Sequence, residues 1–171
     1  MPLKVDDLAD TRAIERSKEN LESDSTLAAQ LEGLNVRLVE DNATNQLLAK
    51  TMLAKYGVSC TVANHGGEAL NLLEHDQFDA ILMDCQMPVM DGYAATRAIR
   101  SDERWMDTPI IAMTANAMAG DRERCIEAGM NDYVAKPVRM HDVVSVLIAW
   151  TRDRKRREPN QFRERKQAVS M

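Results

Sequence analysis

From Leu34 onward the chain alternates between short apolar runs and longer segments whose apolar residues recur at helical spacing. This alternation predicts five β-strands, each followed by a helix. The predicted strands are Val36–Val39, Val58–Ala63, Ala80–Met83, Ile110–Met113 and Tyr133–Ala135. The predicted helices are Thr44–Tyr56, Gly67–His75, Gly92–Arg100, Gly120–Ala128 and Met140–Trp150.

Finer features support these elements. In the first helix, one set of side chains recurs at helical spacing, namely Leu47, Leu48, Thr51, Met52 and Lys55. Gly57 and Gly129 follow helices at positions where glycine commonly ends them. Ala80–Met83 is continuously apolar, as expected of a strand buried on both faces. Asp91 and Gly92 form a turn that begins the next helix.

Five strand–helix repeats favour an α/β fold in which helices cover both faces of a parallel sheet. Because crossovers between parallel strands are right-handed, the fold is expected to be doubly wound. Five strands favour the flavodoxin-like strand order 2-1-3-4-5. In such sheets, ligands bind outside the carboxyl ends of the strands. The residues at those ends are therefore the candidates for function.

Charge divides the 171-residue chain into three regions. A polar N-terminal arm, residues 1–33, carries a net charge of -4 (four basic, eight acidic). The main domain is predicted at residues 34–150, and the basic tail is residues 151–171. The arm is either mobile or marginally helical, or else an ordered helix, and its apolar residues are too few for a coiled coil. The run RDRKRREP favours a solvated extension of the last helix over a contact with nucleic acid or anionic lipid.

Composition excludes several classes of protein. The sequence has no stretch of about 18 uncharged apolar residues and no apolar core in its N-terminal segment, so neither a membrane span nor a secretory signal is expected. Three cysteines without paired spacing fit a reducing cytoplasm. The three histidines, His65, His75 and His141, lack zinc spacing and are expected to be surface residues.

Chemically matched side chains follow four of the five strands. Glu40 and Asp41 follow the first strand and Asp84 the third, and three converging carboxylates require a cation. Mg²⁺ suits such oxygen ligands best. Thr114 and Lys136, at the ends of the fourth and fifth strands, supply a hydroxyl and an ammonium that would stabilise a transferring phosphoryl group. Asp84 is then the candidate nucleophile that forms an acyl phosphate.

The segments LVEDNATNQ, ILMDCQMPVMDG, IIAMTANAM and YVAKP resemble the receiver domain of two-component response regulators, most closely the receivers of hybrid sensor histidine kinases. The resemblance covers residues 34–150. It implies that Asp84 is the phosphoacceptor, and that Glu40, Asp41, Asp84 and the backbone carbonyl of Cys85 bind Mg²⁺, with Mn²⁺ as the alternative ion. It implies roles for Thr114 as the switch hydroxyl, Lys136 as the phosphoryl partner before a cis bond to Pro137, and Tyr133 as the switch aromatic.

The resemblance also suggests partners. The phosphoryl donor would be a sensor histidine kinase or a histidine-phosphotransfer domain, docking near Asn45, Leu48 and Met52. A downstream protein would contact the last two helices and the fifth strand. The segment after the last helix is too short for a DNA-binding domain, and both a homodimer and a place within a hybrid kinase remain open. The protein would be no enzyme beyond its own phosphorylation and slow autodephosphorylation.

Some roles and alternatives stay open at this point. Gln86 and Asn116 would border the access path of water to the acyl phosphate, and Cys85 is favoured as a structural thiol over a redox handle. A phosphorylation-independent scaffold of the same fold is one alternative function. A haloacid dehalogenase-type phosphatase is another, but it needs an acid where this chain has Gln86.

Overall fold

The structure is a computed structural model that describes residues 25–115 and 119–152. Its strands are β1 Asn35–Val39, β2 Ser59–Ala63, β3 Ala80–Asp84, β4 Ile110–Thr114 and β5 Asp132–Ala135. Its helices are α1, described over residues 25–31, then α2 Ala43–Ala54, α3 Gly66–Leu73, α4 Gly92–Arg100, α5 Ala119–Ala128 and α6 Met140–Thr151. A single 3₁₀ turn, Glu103–Trp105, lies between α4 and β4.

The five strands form one parallel sheet in the order β2-β1-β3-β4-β5, which confirms the predicted doubly wound α/β fold. In the register, Val39 of β1 lies beside Ala63 of β2 and Met83 of β3. The residues that follow these positions therefore meet at one edge of the sheet.

Two apolar layers hold the sheet between the helices. One layer contains Ile81 and Met83 of β3 and buried residues of α3, α4 and α5. The other contains Ala80 and Leu82 of the same strand and buried residues of α1, α2 and α6. All five residues of β3 are buried, as predicted for a central strand covered on both faces.

Caps and left-handed glycines set the helix ends. Gly57 has φ 69° and Gly129 has φ 104°, conformations that favour glycine, so both predicted helix stops are confirmed. Asn42 caps α2 by accepting a hydrogen bond from Asn45 N, and Asp91 caps α4 by accepting one from Ala94 N. Each cap lies directly after the loop that leaves a strand of the site.

Helix α2 uses a different face from the one that its larger apolar residues suggest. Leu47 is 68% exposed and Leu48 47% exposed, whereas Ala49 and Leu53 are buried against the sheet. Helical spacing shows that an apolar stripe exists, but it does not say which stripe the sheet covers. The face containing Leu47 and Leu48 is therefore free to meet other groups.

The folded body extends slightly beyond residues 34–150. Leu31 of α1 is fully buried in the core, with Leu27 and Ala28 packed beside it. Thr151 is buried as the last residue of α6, and its hydroxyl donates to Leu147 O. The rest of the predicted arm, residues 1–24, and the tail beyond residue 152 lie outside the described residues.

Arg37 is an unexpected buried charge in the middle of β1. Its side chain is 0% exposed, pairs with Asp76 at 3.3 Å and lies 4.0 Å above the Phe78 ring. Burial lowers the pKa of its guanidinium, and Asp76 opposes this effect only in part.

Among the described residues, no helix is both long and apolar enough to cross a membrane.

Candidate functional site

Three carboxylates meet at the carboxyl edge of the sheet. Glu40 follows the end of β1 and Asp84 ends the neighbouring β3, so the register of the two strands brings them together. Glu40 is 2% and Asp84 3% exposed, while Asp41 is open to solvent. One oxygen atom from each carboxylate lies within 4.8 Å of the others. A hard divalent cation, which takes oxygen ligands, fits this donor set.

Lys136 provides the positive charge that faces two of these acids. Its Nζ lies 3.0 Å from Asp84 Oδ1 and 3.1 Å from Glu40 Oε2. Burial lowers the pKa of the ammonium, but the hydrogen bonds and charges of Asp84 and Glu40 outweigh that effect and raise it overall. The peptide bond to Pro137 is cis, as the resemblance implied. Lys136 N also donates to Thr114 O at 2.7 Å, which ties β5 to the end of β4.

Asp84 is held on one side only. Its Oδ1 accepts hydrogen bonds from Lys136 and from the backbone N–H of Gln86, the latter at 3.1 Å. Among the described residues, none donates to Asp84 Oδ2. Gln86 itself is exposed beside the site. The second carboxylate oxygen of Asp84 is therefore available for chemistry.

The loop after Asp84 is packed so tightly that only glycine fits at position 92. A Cβ on Gly92 would lie 2.2 Å from the Asp84 carbonyl oxygen. Gly92 N donates to Cys85 O at 3.2 Å. A carbonyl oxygen has two lone pairs, so this bond leaves one for a metal at the Cys85 position that the resemblance named.

Thr114 and Tyr133 lie on the other side of Asp84. Thr114 is buried at the end of β4, and its hydroxyl lies 3.4 Å from Asp121 Oδ2 of α5. Tyr133 of β5 is half-buried against the α3–α5 layer, with the Arg122 guanidinium 5.9 Å from its ring centre. Asn116, the second residue predicted beside the site, lies outside the described residues.

Two polar residues at this edge, Gln46 and Asp121, were missed by the sequence analysis. Gln46 of α2 donates to Glu40 O at 2.6 Å and to Asn64 Oδ1 at 2.9 Å, and Asp121 faces Thr114. The signal for Gln46 was its position one turn into a helix that begins beside the acidic pair. His65 contributes differently, since its Nδ1 caps α3 by accepting from Glu68 N.

Comparisons with known proteins agree with this arrangement. The chain is 39% identical over 119 residues to the sensor histidine kinase GacS of Pseudomonas protegens, an alignment that covers 68% of this chain but only 13% of the kinase. The receiver domain of sensor histidine kinase PA1611 from Pseudomonas aeruginosa, whose crystal structure has a magnesium ion in its active-site cleft, is 48% identical. That match has a TM-score of 0.65 and covers 70% of this chain and 98% of the other.

Two further matches extend the comparison. The receiver domain of Ssk1 from Saccharomyces cerevisiae, solved in complex with the histidine phosphotransfer protein Ypd1, is 31% identical, with a TM-score of 0.66. It covers 71% of this chain and 90% of the other. The sequence profile described as "Response regulator receiver domain" matches residues 36–148. On this evidence the chain belongs to the response regulator receiver domain family.

Proposed function

We propose that this chain is the phosphoacceptor of a two-component phosphorelay, which takes a phosphoryl group from a phosphohistidine onto Asp84. The observation that carries the proposal is the setting of Asp84, a buried carboxylate with one oxygen held by Lys136 and two further carboxylates beside it. In doubly wound sheets, ligands bind outside the carboxyl ends of the strands, and Asp84 ends β3 at that edge.

In the proposed reaction, Asp84 Oδ2 attacks the phosphorus in line. An O–P bond forms, the N–P bond to the donor histidine breaks, and the imidazole leaves as a neutral group when its other nitrogen carries a proton. Lys136 is already 3.0 Å from Asp84 Oδ1 and would move little to meet a phosphoryl oxygen. The Thr114 hydroxyl would donate to another.

Glu40, Asp41, Asp84 and the Cys85 carbonyl would hold Mg²⁺ or, in its place, Mn²⁺. The donor set supports this role, because its carboxylate oxygens lie within 4.8 Å of one another and Mg²⁺ prefers such ligands. When bound, the ion would neutralise charge that develops on the phosphoryl oxygens. The magnesium reported for the PA1611 receiver supports the same assignment.

Phosphorylation would then change the surface formed by α5, β5 and α6. The Thr114 hydroxyl now lies 3.4 Å from Asp121 on α5, and a phosphoryl dianion on Asp84 would draw it away. Tyr133, half-buried beside α5, would follow. Ile126 on α5 is 58% exposed, which gives a downstream protein an apolar contact on this surface. A symmetric contact on the same surface would give the homodimer.

The donor, a histidine kinase or a histidine-phosphotransfer domain, would dock on α2. The exposed face of α2 is an open, nearly flat surface that carries Leu47, Lys50, Thr51, Ala54 and Lys55. Leu48, also proposed as a contact, is 47% exposed. Because α2 begins two residues after Asp41, a protein on this face would reach the site. The complex of Ypd1 with the Ssk1 receiver supports a donor of this class.

The chain would act once per phosphorylation and not as an enzyme with turnover on a separate substrate. We place this reaction in the cytoplasm, because Cys60, Cys85 and Cys125 are free thiols. The region 34–150 would be the functional unit, flanked by the acidic arm and the basic tail.

The test is incubation of the protein with acetyl phosphate and Mg²⁺, followed by intact mass. A gain of about 80 Da is expected, the mass of one phosphoryl group. The gain should disappear in Asp84→Asn and with excess EDTA, and it should persist in Asp142→Asn, which changes an exposed carboxylate on α6. A gain retained by Asp84→Asn, or no gain at all, would overturn the proposal, and the latter would favour the phosphorylation-independent scaffold.

A further inference from the structure

All three oxygen atoms of Glu40 accept a hydrogen bond. Oε1 accepts from Asn42 N at 3.1 Å, Oε2 from Lys136 Nζ at 3.1 Å, and the backbone oxygen from Gln46 Nε2 at 2.6 Å. Glu40 N in turn donates to Ala63 O at 3.1 Å. Two of the donors, Asn42 N and Lys136 Nζ, lie beside the acidic cluster. The third donor, Gln46 Nε2, belongs to the helix α2 and lies outside the cluster.

The same Gln46 nitrogen also donates to Asn64 Oδ1 at 2.9 Å. Asn64 follows the end of β2, so one amide group joins the residues that follow two neighbouring strands. The orientation of the Asn64 amide is determined by its other end, where Nδ2 donates to Glu68 Oε2 at 3.0 Å. Asn64 N donates to that same oxygen at 2.8 Å. Gln46 is therefore fixed by a bonded chain that runs from Glu68 through Asn64 to Glu40.

The side-chain amide at position 46 suits both acceptors. An NH₂ group has two N–H donors on one atom, and both acceptors here are oxygen atoms without protons to give. An apolar side chain would leave the Glu40 carbonyl unpaired, although it could occupy the same space. Since Gln46 is half-buried on the first turns of α2, water could replace these bonds only in part.

The geometry points to Gln46 as a positioning residue that fixes the end of β1 so that Glu40 and Asp41 are set for a divalent cation. This inference rests on the metal site of the proposed function. Groups that orient metal ligands raise affinity because the ligands lose less freedom on binding. Asn64 acts through Gln46, since it contacts the Gln46 amide and not Glu40 itself.

The experiment measures Mg²⁺ binding to the full chain by titration calorimetry, without any phosphoryl donor. The variants are Gln46→Met, which keeps the length of the side chain but removes both donors, Gln46→Ala, and Asn64→Ala. Gln77→Met, the same substitution at an exposed glutamine that precedes β3 at the opposite edge of the sheet, is the matched control. Thermal unfolding in EDTA shows how much each change affects the fold without the metal.

We expect Gln46→Met and Gln46→Ala to weaken Mg²⁺ binding by about three- to tenfold each, which corresponds to the net contribution of one hydrogen bond. Asn64→Ala should weaken it less, because the bond from Gln46 to Glu40 remains. The double variant Gln46→Met/Asn64→Ala should bind no more weakly than Gln46→Met. Gln77→Met should bind Mg²⁺ like the unchanged chain.

Three results would overturn the inference, and they are distinct. Unchanged affinity in Gln46→Met with a lowered melting temperature in EDTA assigns Gln46 to stability alone. Weaker binding in Gln46→Ala but not in Gln46→Met assigns the effect to packing. Absence of Mg²⁺ binding by the unchanged chain removes the metal site, and with it both this role and the proposed function.

Discussion

The Lys136 ammonium nitrogen lies 3.0 Å from Asp84 Oδ1, so the proposed phosphoacceptor is already paired with a cation. The same nitrogen is 3.1 Å from Glu40 Oε2, and both carboxylates are almost completely buried. Lys136 therefore balances part of the negative charge that a metal ion would otherwise balance alone. The lysine and the proposed ion would therefore compete for these two carboxylates.

Lys136→Met separates two effects of the lysine, its competition with a metal ion and its stabilisation of the buried carboxylates. Without the ammonium, we expect the protein to bind Mg²⁺ about tenfold more tightly, because a competing positive charge has gone. In EDTA it should be less stable by about 1–3 kcal/mol, because two buried carboxylates lose their cation. Calorimetry and denaturant unfolding measure the two quantities. Lys50→Met, a change to an exposed lysine on α2, is the control, and weaker Mg²⁺ binding by Lys136→Met would contradict the expectation.

Gly92→Ala tests the close packing behind Asp84. The new Cβ would lie 2.2 Å from the Asp84 carbonyl oxygen, so the loop must move. We expect a loss of about 2 kcal/mol in the free energy of unfolding, as for other overpacked sites. Gly120→Ala on α5 is the matched control, since a Cβ there would meet nothing within 4 Å, and it should stabilise the helix by about 0.5–1 kcal/mol. Equal effects of the two changes, measured in urea, would contradict this interpretation.

Replacement by methionine should change the stability of the fold differently at two arginines that pack within it. Arg37 Nε and Nη1 have no hydrogen-bond partner among the described residues, and its pKa is lowered by burial despite the opposing effect of Asp76. Arg100 instead donates from Nε to Gly129 O, from Nη1 to Trp105 O and from Nη2 to Asn131 Oδ1.

Arg37→Met should therefore leave stability unchanged or raise it by about 1–2 kcal/mol, because a poorly compensated buried charge is replaced by an apolar chain. Arg100→Met should lower stability by about 2 kcal/mol, because three acceptors lose a charged donor. Arg97→Met, on the exposed face of the same helix as Arg100, should have little effect. A loss of more than about 1 kcal/mol in Arg37→Met would show that its pairing with Asp76 and Phe78 is worth more than its burial costs.

The cysteines should differ in reactivity. Cys85 and Cys125 are each 2% exposed, and burial raises the pKa of Cys85 to about 12 from an ordinary 9.0. At neutral pH the Cys85 thiol is thus protonated and inert, which supports its structural role. Cys60 is only half-buried, although burial raises its pKa as well. Brief treatment of the native protein with a maleimide, followed by peptide mass analysis, should label Cys60 first.

The raised pKa of Cys85 also makes a prediction about stability. The buried, protonated Cys85 thiol contributes to the free energy of unfolding. This contribution is complete below pH 9.0, where the thiol is protonated in both states, and is lost between pH 9.0 and about 12, where only the unfolded chain ionises. Replacing Cys85 with alanine should reduce the fall in unfolding free energy over that range. Rapid labelling of Cys85 at neutral pH would contradict both statements and revive the redox handle.

Local patterns in the sequence were enough to predict that the candidate residues lie at one edge of the sheet. Each strand is a short apolar run that stops at a polar residue, and the parallel alternation requires those stops to share one edge. Asp84 and Lys136 could therefore be assigned to one site before any contact was known, and their 3.0 Å separation agrees. The helix stops at Gly57 and Gly129 were equally local, because they depend on the backbone of a single residue.

Contacts across the sheet required the folded chain. Glu40 and Lys136 are 96 residues apart, and no local pattern shows that the lysine meets this carboxylate as well as Asp84. The bridge from Gln46 to Asn64 spans 18 residues and depends on which face of α2 the sheet covers. That helix carries apolar residues on two faces, and the sheet buries the face with Ala49 and Leu53. That choice left Leu47 in solvent and turned Gln46 toward the acidic pair.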